Sequence, residues 1–148
     1  MDVAFYQLLK TPLERALPKL IEKVYQSGFR VLVVCESPEK MEILNTALWT
    51  YSTGAFLPHG KQGDPHRHPI WMSLTPENVN EASVLVVTNG VLITNDPERP
   101  FDKCLDIFDG NDPELTKRAR ARYKSYKSKD LPLTFWKQKE DGGWDKGA

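Results

Sequence analysis

Cys35 ends the run Arg30 to Cys35, RVLVVC, separated by one residue from Ser37-Pro38-Glu39, which is a helix-start signal. A thiol between a strand end and a helix N-terminus stands where α/β folds bind ligands and where the helix dipole favours thiolate. A phosphate-cradling C-x5-R loop would need an arginine six positions on, where this chain has Met41, and no Cys-x-x-Cys occurs. Cys35 therefore reads as a buried structural cysteine, with a thiol-hydrolase site the weaker reading. His59, His66 and His68 lie with Asp64 in Pro58 to Pro69, PHGKQGDPHRHP, and His-x-His spacing sets two imidazoles on one side of an extended segment. No cysteine or defined scaffold accompanies them, so they read as solvated loop histidines and no metal is expected. Neither G-x-x-x-x-G-K-[ST] nor G-x-G-x-x-G occurs, and the turn Lys10-Thr11-Pro12 lacks glycine, so no nucleotide cofactor is expected.

The informative chemistry lies in Leu115 to Ser128, LTKRARARYKSYKS. At helical spacing Leu115, Ala119 and Tyr126 share a face that can dock on a sheet. Arg120, Lys124 and Lys127 fall within about 60 degrees of one another on a different face, with Tyr123 between the two. The result is a basic stripe edged by an aromatic ring, whose Lys and Arg stems can line a pocket. No residue from Leu115 to Lys129 is acidic, so pairing within that stretch does not account for the charge, and an anion-binding surface is the favoured reading. The anion is nucleic acid or an acidic peptide.

Elements that could hold this helix alternate along the chain. Val3 to Leu9 reads as a strand stopped by Thr11-Pro12, where Thr11 as N-cap, Pro12 at N1 and Glu14 open an amphipathic helix running to Ser27-Gly28. Pro18 lies deep for a clean start, leaving a kink or a second helix start as alternatives. Arg30 to Cys35 is a continuous apolar run, as expected of a strand covered on both faces. Ser37, Pro38 and Glu39 then open a helix through Met41, Leu44, Leu48 and Trp49. A short strand over Ala55 to Leu57, a surface loop over Pro58 to Pro69, and strands at Ile70 to Leu74, Ser83 to Thr88 and Phe101 to Phe108 follow. Asn89-Gly90 suggests a hairpin returning over Val91 to Thr94. Asp112-Pro113-Glu114 start the basic helix, Leu131 to Lys137 is a short tail element, and Gln138 to Ala148 is expected to fray. Strand and helix in alternation predict a single Rossmann-like α/β domain, a mostly parallel sheet flanked by helices. The expected division is a domain over 1–137 and a flexible C-terminal extension over 138–148.

The 148 residues are 40% hydrophobic, with 20 Lys plus Arg against 20 Asp plus Glu, which suits one ordinary core and excludes a disordered chain or a disulfide scaffold. No stretch approaches the roughly 18 apolar residues of a membrane span, and Met1 to Lys10 is not a basic n-region leading into an apolar run. A cytoplasmic protein is expected, with Cys35 and Cys104 as buried free thiols and a single disulfide between them as the alternative. The neutral total hides a division: Lys117 to Lys139 holds nine basic residues and one acidic residue, Asp130, so the remainder is as negative as this segment is positive. Such polarity argues for an anionic partner at the C-terminal end.

Several short motifs occur in order: F-Y at Phe5-Tyr6, S-G-F-R-V-L-V-V-C-E at Ser27 to Glu36, A-L-W at Ala47 to Trp49, F-L-P-H at Phe56 to His59, A-R-A-R-Y-K-S-Y at Ala119 to Tyr126, and F-W-K at Phe135 to Lys137. Over roughly Ala4 to Lys137 the chain resembles the chi subunits of bacterial DNA polymerase III. The resemblance implies a Rossmann-type fold without its own catalytic activity. It implies an adaptor joining the clamp loader, through the small psi subunit, to single-stranded-DNA-binding protein by gripping that protein's acidic, Phe-terminated C-terminal tail. Arg120, Tyr123 and Lys124 are the implied tail-binding residues, the same three that the helical wheel selects beside Lys127. Trp49 and Phe56 are implied to meet psi, or a repair helicase competing for that surface. The sequence departs from the pattern at Arg118, where a known relative has an apolar residue, and in a longer extension carrying Trp144. The rival reading is direct nucleic-acid binding, with Tyr123, Tyr126, Phe135 and Trp136 as a stacking platform on the basic helix.

Overall fold

A computed structural model describes residues 1–51, 59–89 and 100–147. Among the described residues eight strands form one sheet: β1 (Asp2–Leu8), β2 (Val31–Val34), β3 (His59–Gly60), β4 (Ile70–Ser73), β5 (Val84–Thr88), β6 (Lys103–Asp109), β7 (Leu133–Gln138) and β8 (Trp144–Gly147). Their order is β3-β4-β2-β5-β6-β1-β7-β8. Every pairing is parallel except that of β7 with β8. The α-helices among the described residues, α1 (Leu13–Gln26), α2 (Pro38–Thr50) and α3 (Pro113–Ser128), supply crossovers. This is the expected Rossmann-like α/β architecture.

The continuous apolar strands explain why helices lie on both faces. All of β2 and β5 is buried, and alternate residues point to two separate cores. Val31, Val33, Val84 and Val86 pack with Leu17 and Ile21 of α1 and Leu44 and Leu48 of α2. Leu32, Val34, Leu85 and Val87 belong to the other core with Phe5, Phe108 and Ala119 of α3. In β1 the same alternation sends Ala4 to the first core and Val3 and Phe5 to the second.

Two helix starts follow the sequence closely. The Ser37 side chain accepts from the Lys40 N–H at 3.2 Å, and the Asp112 carboxylate accepts from Glu114 and Leu115 N–H groups at 2.9 and 3.2 Å. The start of α1 differs. Pro12 is the N-cap and its ring has no atom that can cap, while the Thr11 hydroxyl accepts from Gln138 Nε2. Pro18 is accommodated within one continuous helix.

Pro58 to Pro69 is not purely loop. His59–Gly60 adds an edge strand to β4, and Asp64 caps a short 3-10 turn over Pro65–Arg67. Gly60 lets the His68 ring lie close against the backbone there, since a Cβ would force that ring to move. The residues after Lys137, expected to fray, supply the last position of β7 and all of β8. The suggested strand at Ala55 to Leu57 and the hairpin over Val91 to Thr94 lie outside the described residues.

Candidate functional site

The basic helix divides its charges by face. Ala119 is fully buried, while Tyr123 and Tyr126 are half-buried against Phe5 and Phe135, with the Phe5 centroid 5.7 Å from Tyr123 and 6.1 Å from Tyr126. Arg122 also turns inward. Its Nε and Nη2 donate to the two carboxylate oxygens of Asp106 at 2.8 and 3.0 Å, a bidentate pair with Asp106 fully buried in β6. Burial raises the Asp106 carboxyl above its ordinary value, and the hydrogen bonds and charge of Arg122 oppose that rise. Tyr126 is pushed up to about 12, by burial first and by the Asp106 and Cys104 charges next, with Arg122 acting in the opposite direction.

Outward, Lys117, Arg120 and Lys124 are exposed and line one cavity of about 610 Å³. They sit at helical spacing of three and four, so they stack along one stripe. The rest of the lining comes from Gln7 near the end of β1, the Gly110-Asn111 turn after β6, and Pro113, Thr116 and Ala121 of α3. Gly110 permits a close approach that another residue would block, because a Cβ there would meet Gln7 Cγ and lie 2.7 Å from the Leu8 carbonyl. Among the described residues none of the three cations has a carboxylate within ion-pair distance, unlike Arg118, which Glu114 holds at 3.3 Å. Their charge is free for a ligand, and the carbon stems with Pro113 and Ala121 supply apolar surface.

Arg120 and Lys124 are thus brought together as the sequence suggests. Tyr123 is not in the cavity lining, since its ring is engaged with Phe5 and Phe135, and Lys127 is exposed one turn beyond. Lys117 was missed by the sequence reading, although its spacing of three from Arg120 could have found it. Asp106 was missed too, and its signal was a carboxylate inside the otherwise apolar CLDIF of β6.

The other candidates separate. Cys35 is buried and free, its thiol pushed up to about 12 by burial and then by the neighbouring Glu36 charge. Such a thiol is almost wholly protonated at neutral pH, the opposite of an activated nucleophile. Cys104 is likewise a buried free thiol raised by burial. His66 Nδ1 lies 3.6 Å from Glu81, whereas His68 Nδ1 is 2.9 Å from the Asp64 carbonyl oxygen and its ring faces Trp71 at 5.3 Å. Among the described residues no group of three His, Cys, Asp or Glu is placed to hold a metal ion. Trp49, at the end of α2, is 58% exposed, and Phe56 lies outside the described residues. No helix among the described residues is long and apolar enough to cross a membrane.

The mostly parallel sheet thus carries a basic helix with a cationic groove on its outer side. Residues 1–134 match the family described as DNA polymerase III chi subunit, HolC. The chain belongs to that family. It is 25% identical over 128 residues to DNA polymerase III subunit chi of Escherichia coli (strain K12), covering 84% of this chain and 86% of the other. It is 26% identical over 108 residues to DNA polymerase III subunit chi of Haemophilus influenzae, covering 71% and 73%. Similarity to the probable DNA polymerase III subunit chi of Rickettsia prowazekii (strain Madrid E) is higher, 41% over 75 residues, but spans 49% of this chain and 46% of that protein.

Proposed function

We propose that this chain is a non-catalytic accessory subunit of the replicative DNA polymerase holoenzyme, acting in the cytoplasm. It joins the clamp loader to single-stranded-DNA-binding protein by gripping that protein's acidic C-terminal tail. The observation that carries the reading is the α3 groove, where Lys117, Arg120 and Lys124 line one cavity without carboxylate partners among the described residues. Acidic side chains and a terminal carboxylate pair with these cations, and a terminal Phe ring lies on the apolar stems and Ala121. Charge-assisted bonds contribute roughly 1.5–3 kcal/mol each, ring burial a similar amount, and ordering the tail costs several, so a dissociation constant of about a micromolar follows. The exposed Trp49, with Phe56, serves a second surface for psi or a competing helicase.

Direct nucleic-acid binding is the weaker reading. Tyr123, Tyr126 and Phe135 are packed on the core around Phe5, and Trp136 packs against the opposite core, which removes the expected stacking platform. Phosphate contacts would remain.

Calorimetric titration with an acidic peptide ending in Phe, the same peptide lacking that residue, and a single-stranded oligonucleotide decides between these readings. The expected order is micromolar binding, at least tenfold weaker binding, and weak binding that fades with salt. Equal affinity for the two peptides, or tighter binding to the oligonucleotide, overturns the tail-gripping function.

A further inference from the structure

We propose that the extension beyond Lys137 is a positioning element for the α3 groove, acting through Gln138. This rests on the function proposed above for that groove. Gln138 is the last residue of β7 and is 5% exposed. Its Oε1 accepts from three consecutive backbone N–H groups, those of Leu9, Lys10 and Thr11, at 3.0, 2.8 and 3.0 Å. Its Nε2 donates to the Thr11 hydroxyl at 2.8 Å and to the Gly142 carbonyl at 3.3 Å. Successive N–H groups converging on one point form a cradle of positive potential, here filled by an amide oxygen of the same chain. One side chain thereby fixes the connection between β1 and α1, across more than 125 residues of sequence.

The fixed segment reaches the groove in one further step. The Leu9 carbonyl accepts from Asn111 Nδ2 at 2.9 Å, and the Leu8 carbonyl accepts from the Gly110 N–H at 2.7 Å. Gly110 and Asn111 line the same cavity as Lys117, Arg120 and Lys124. Gln138 therefore holds residues 9–11, these hold the Gly110-Asn111 turn, and the turn is one wall of the groove. Pairing of Gln138 with Trp144 in β8, and an edge-on contact of the Trp144 ring with Tyr6 at 5.2 Å, keep the Gln138 side chain in place. A wall already ordered spares a ligand the entropy of ordering it, so Gln138 raises affinity for an acidic tail without touching it. Gln138 lies four residues beyond the part of the chain that matches the family, residues 1–134.

The test compares Gln138→Met, similar in length but without the hydrogen bonds, with Gln138→Glu, which keeps the acceptor. Three quantities are read: amide exchange at Leu9, Lys10 and Thr11, the Asn111 side-chain amide resonances, and affinity for the acidic Phe-terminated peptide. Gln138→Met is expected to deprotect the three amides and shift Asn111. It is also expected to weaken the peptide about fivefold while protection in β5 persists. At neutral pH Gln138→Glu should restore protection and bring affinity within about twofold of the parent. Should Gln138→Met fail to fold, Thr11→Val, which removes one of these bonds, is expected to shift Asn111 and weaken the peptide about twofold. Deprotected amides with an unmoved Asn111 or an unchanged affinity overturn the positioning role. A parent protein that ignores the peptide overturns the function proposed for the groove, while the amide and Asn111 signals still decide whether Gln138 holds the wall.

Discussion

Arg120 and Arg122 stand two residues apart in α3, and their surroundings are opposite. Arg122 points to the sheet and makes two hydrogen bonds with a carboxylate that has no contact with solvent, whereas Arg120 is exposed over an open groove. The inward arginine is committed to the fold and the outward one is available to a partner. A turn of about 200 degrees between positions i and i+2 of a helix is enough to separate the two duties. The comparison shows that a basic motif is not a uniform charged surface: one of its cations is consumed in seating the helix, and that seating aims the others.

The largest expected effect comes from breaking the inward pair. Asp106→Ala leaves the Arg122 guanidinium largely buried without a partner, so unfolding free energy measured in urea should fall by about 3–5 kcal/mol. Adding Arg122→Met should restore much of the loss, because the uncompensated charge is then gone. A single substitution costing under about 1 kcal/mol would mean that the pair does not seat α3.

Arg120→Ala is expected to do the reverse. Peptide affinity in calorimetry should fall at least tenfold, more than about 1.4 kcal/mol, while stability stays within about 0.5 kcal/mol of the parent. Unchanged affinity with an intact circular dichroism spectrum would erase the difference between the two arginines.

A smaller signature on the inward face is its alkaline sensitivity. The Tyr126 hydroxyl, pushed up from 10.0 to about 12 by burial, binds its proton more tightly in the folded than in the unfolded chain. The stability this contributes is complete below about pH 10 and is lost as pH rises toward 12. Cys35, raised from 9.0 to about 12, adds a loss that begins about one unit lower. The thermal midpoint should therefore decline from about pH 9 upward, and Tyr126→Phe should make the decline above about pH 10 shallower, with Cys35 still contributing.

For peptide affinity and stability the smallest effect is expected at the end of α2, which packs on the other face of the sheet from α3. Trp49→Ala should leave peptide affinity within about twofold, by the additivity of separated positions, and alter stability by less than about 1 kcal/mol, while abolishing capture of psi. A larger loss of peptide affinity would show that the surface at the end of α2 and the α3 groove act as one.

Much of the fold was legible along the chain because the signals were local. The apolar runs of β2 and β5, the Ser37-Pro38 and Asp112-Pro113 helix starts, and the burial of Cys35 need only nearest neighbours to be read. The start of α1 was misread for a reason that is not local: Thr11 has the right chemistry for an N-cap, but Gln138 takes its hydroxyl. The strand at Trp144 to Gly147 escaped notice because Gly142-Gly143 and the surrounding charges resemble a frayed end, and only the exposed edge of β7 turns them into a hairpin.

Composition and periodicity by themselves determined the α/β class, the both-sided burial of the central strands, and the placing of Arg120 and Lys124 on one stripe of a basic helix. Each follows from backbone repeat and the cost of exposing apolar surface, which are properties of short segments. Only the tertiary structure decided which cation is spent on Asp106, which aromatic rings turn to Phe5 rather than to a partner, and which residues wall the groove opposite α3. Those outcomes depend on pairs separated by 16 residues, as in Arg122 with Asp106, or by 129, as in Gln138 with Leu9. A buried charge must find its counterpart, and a buried amide its donors, wherever the chain brings them.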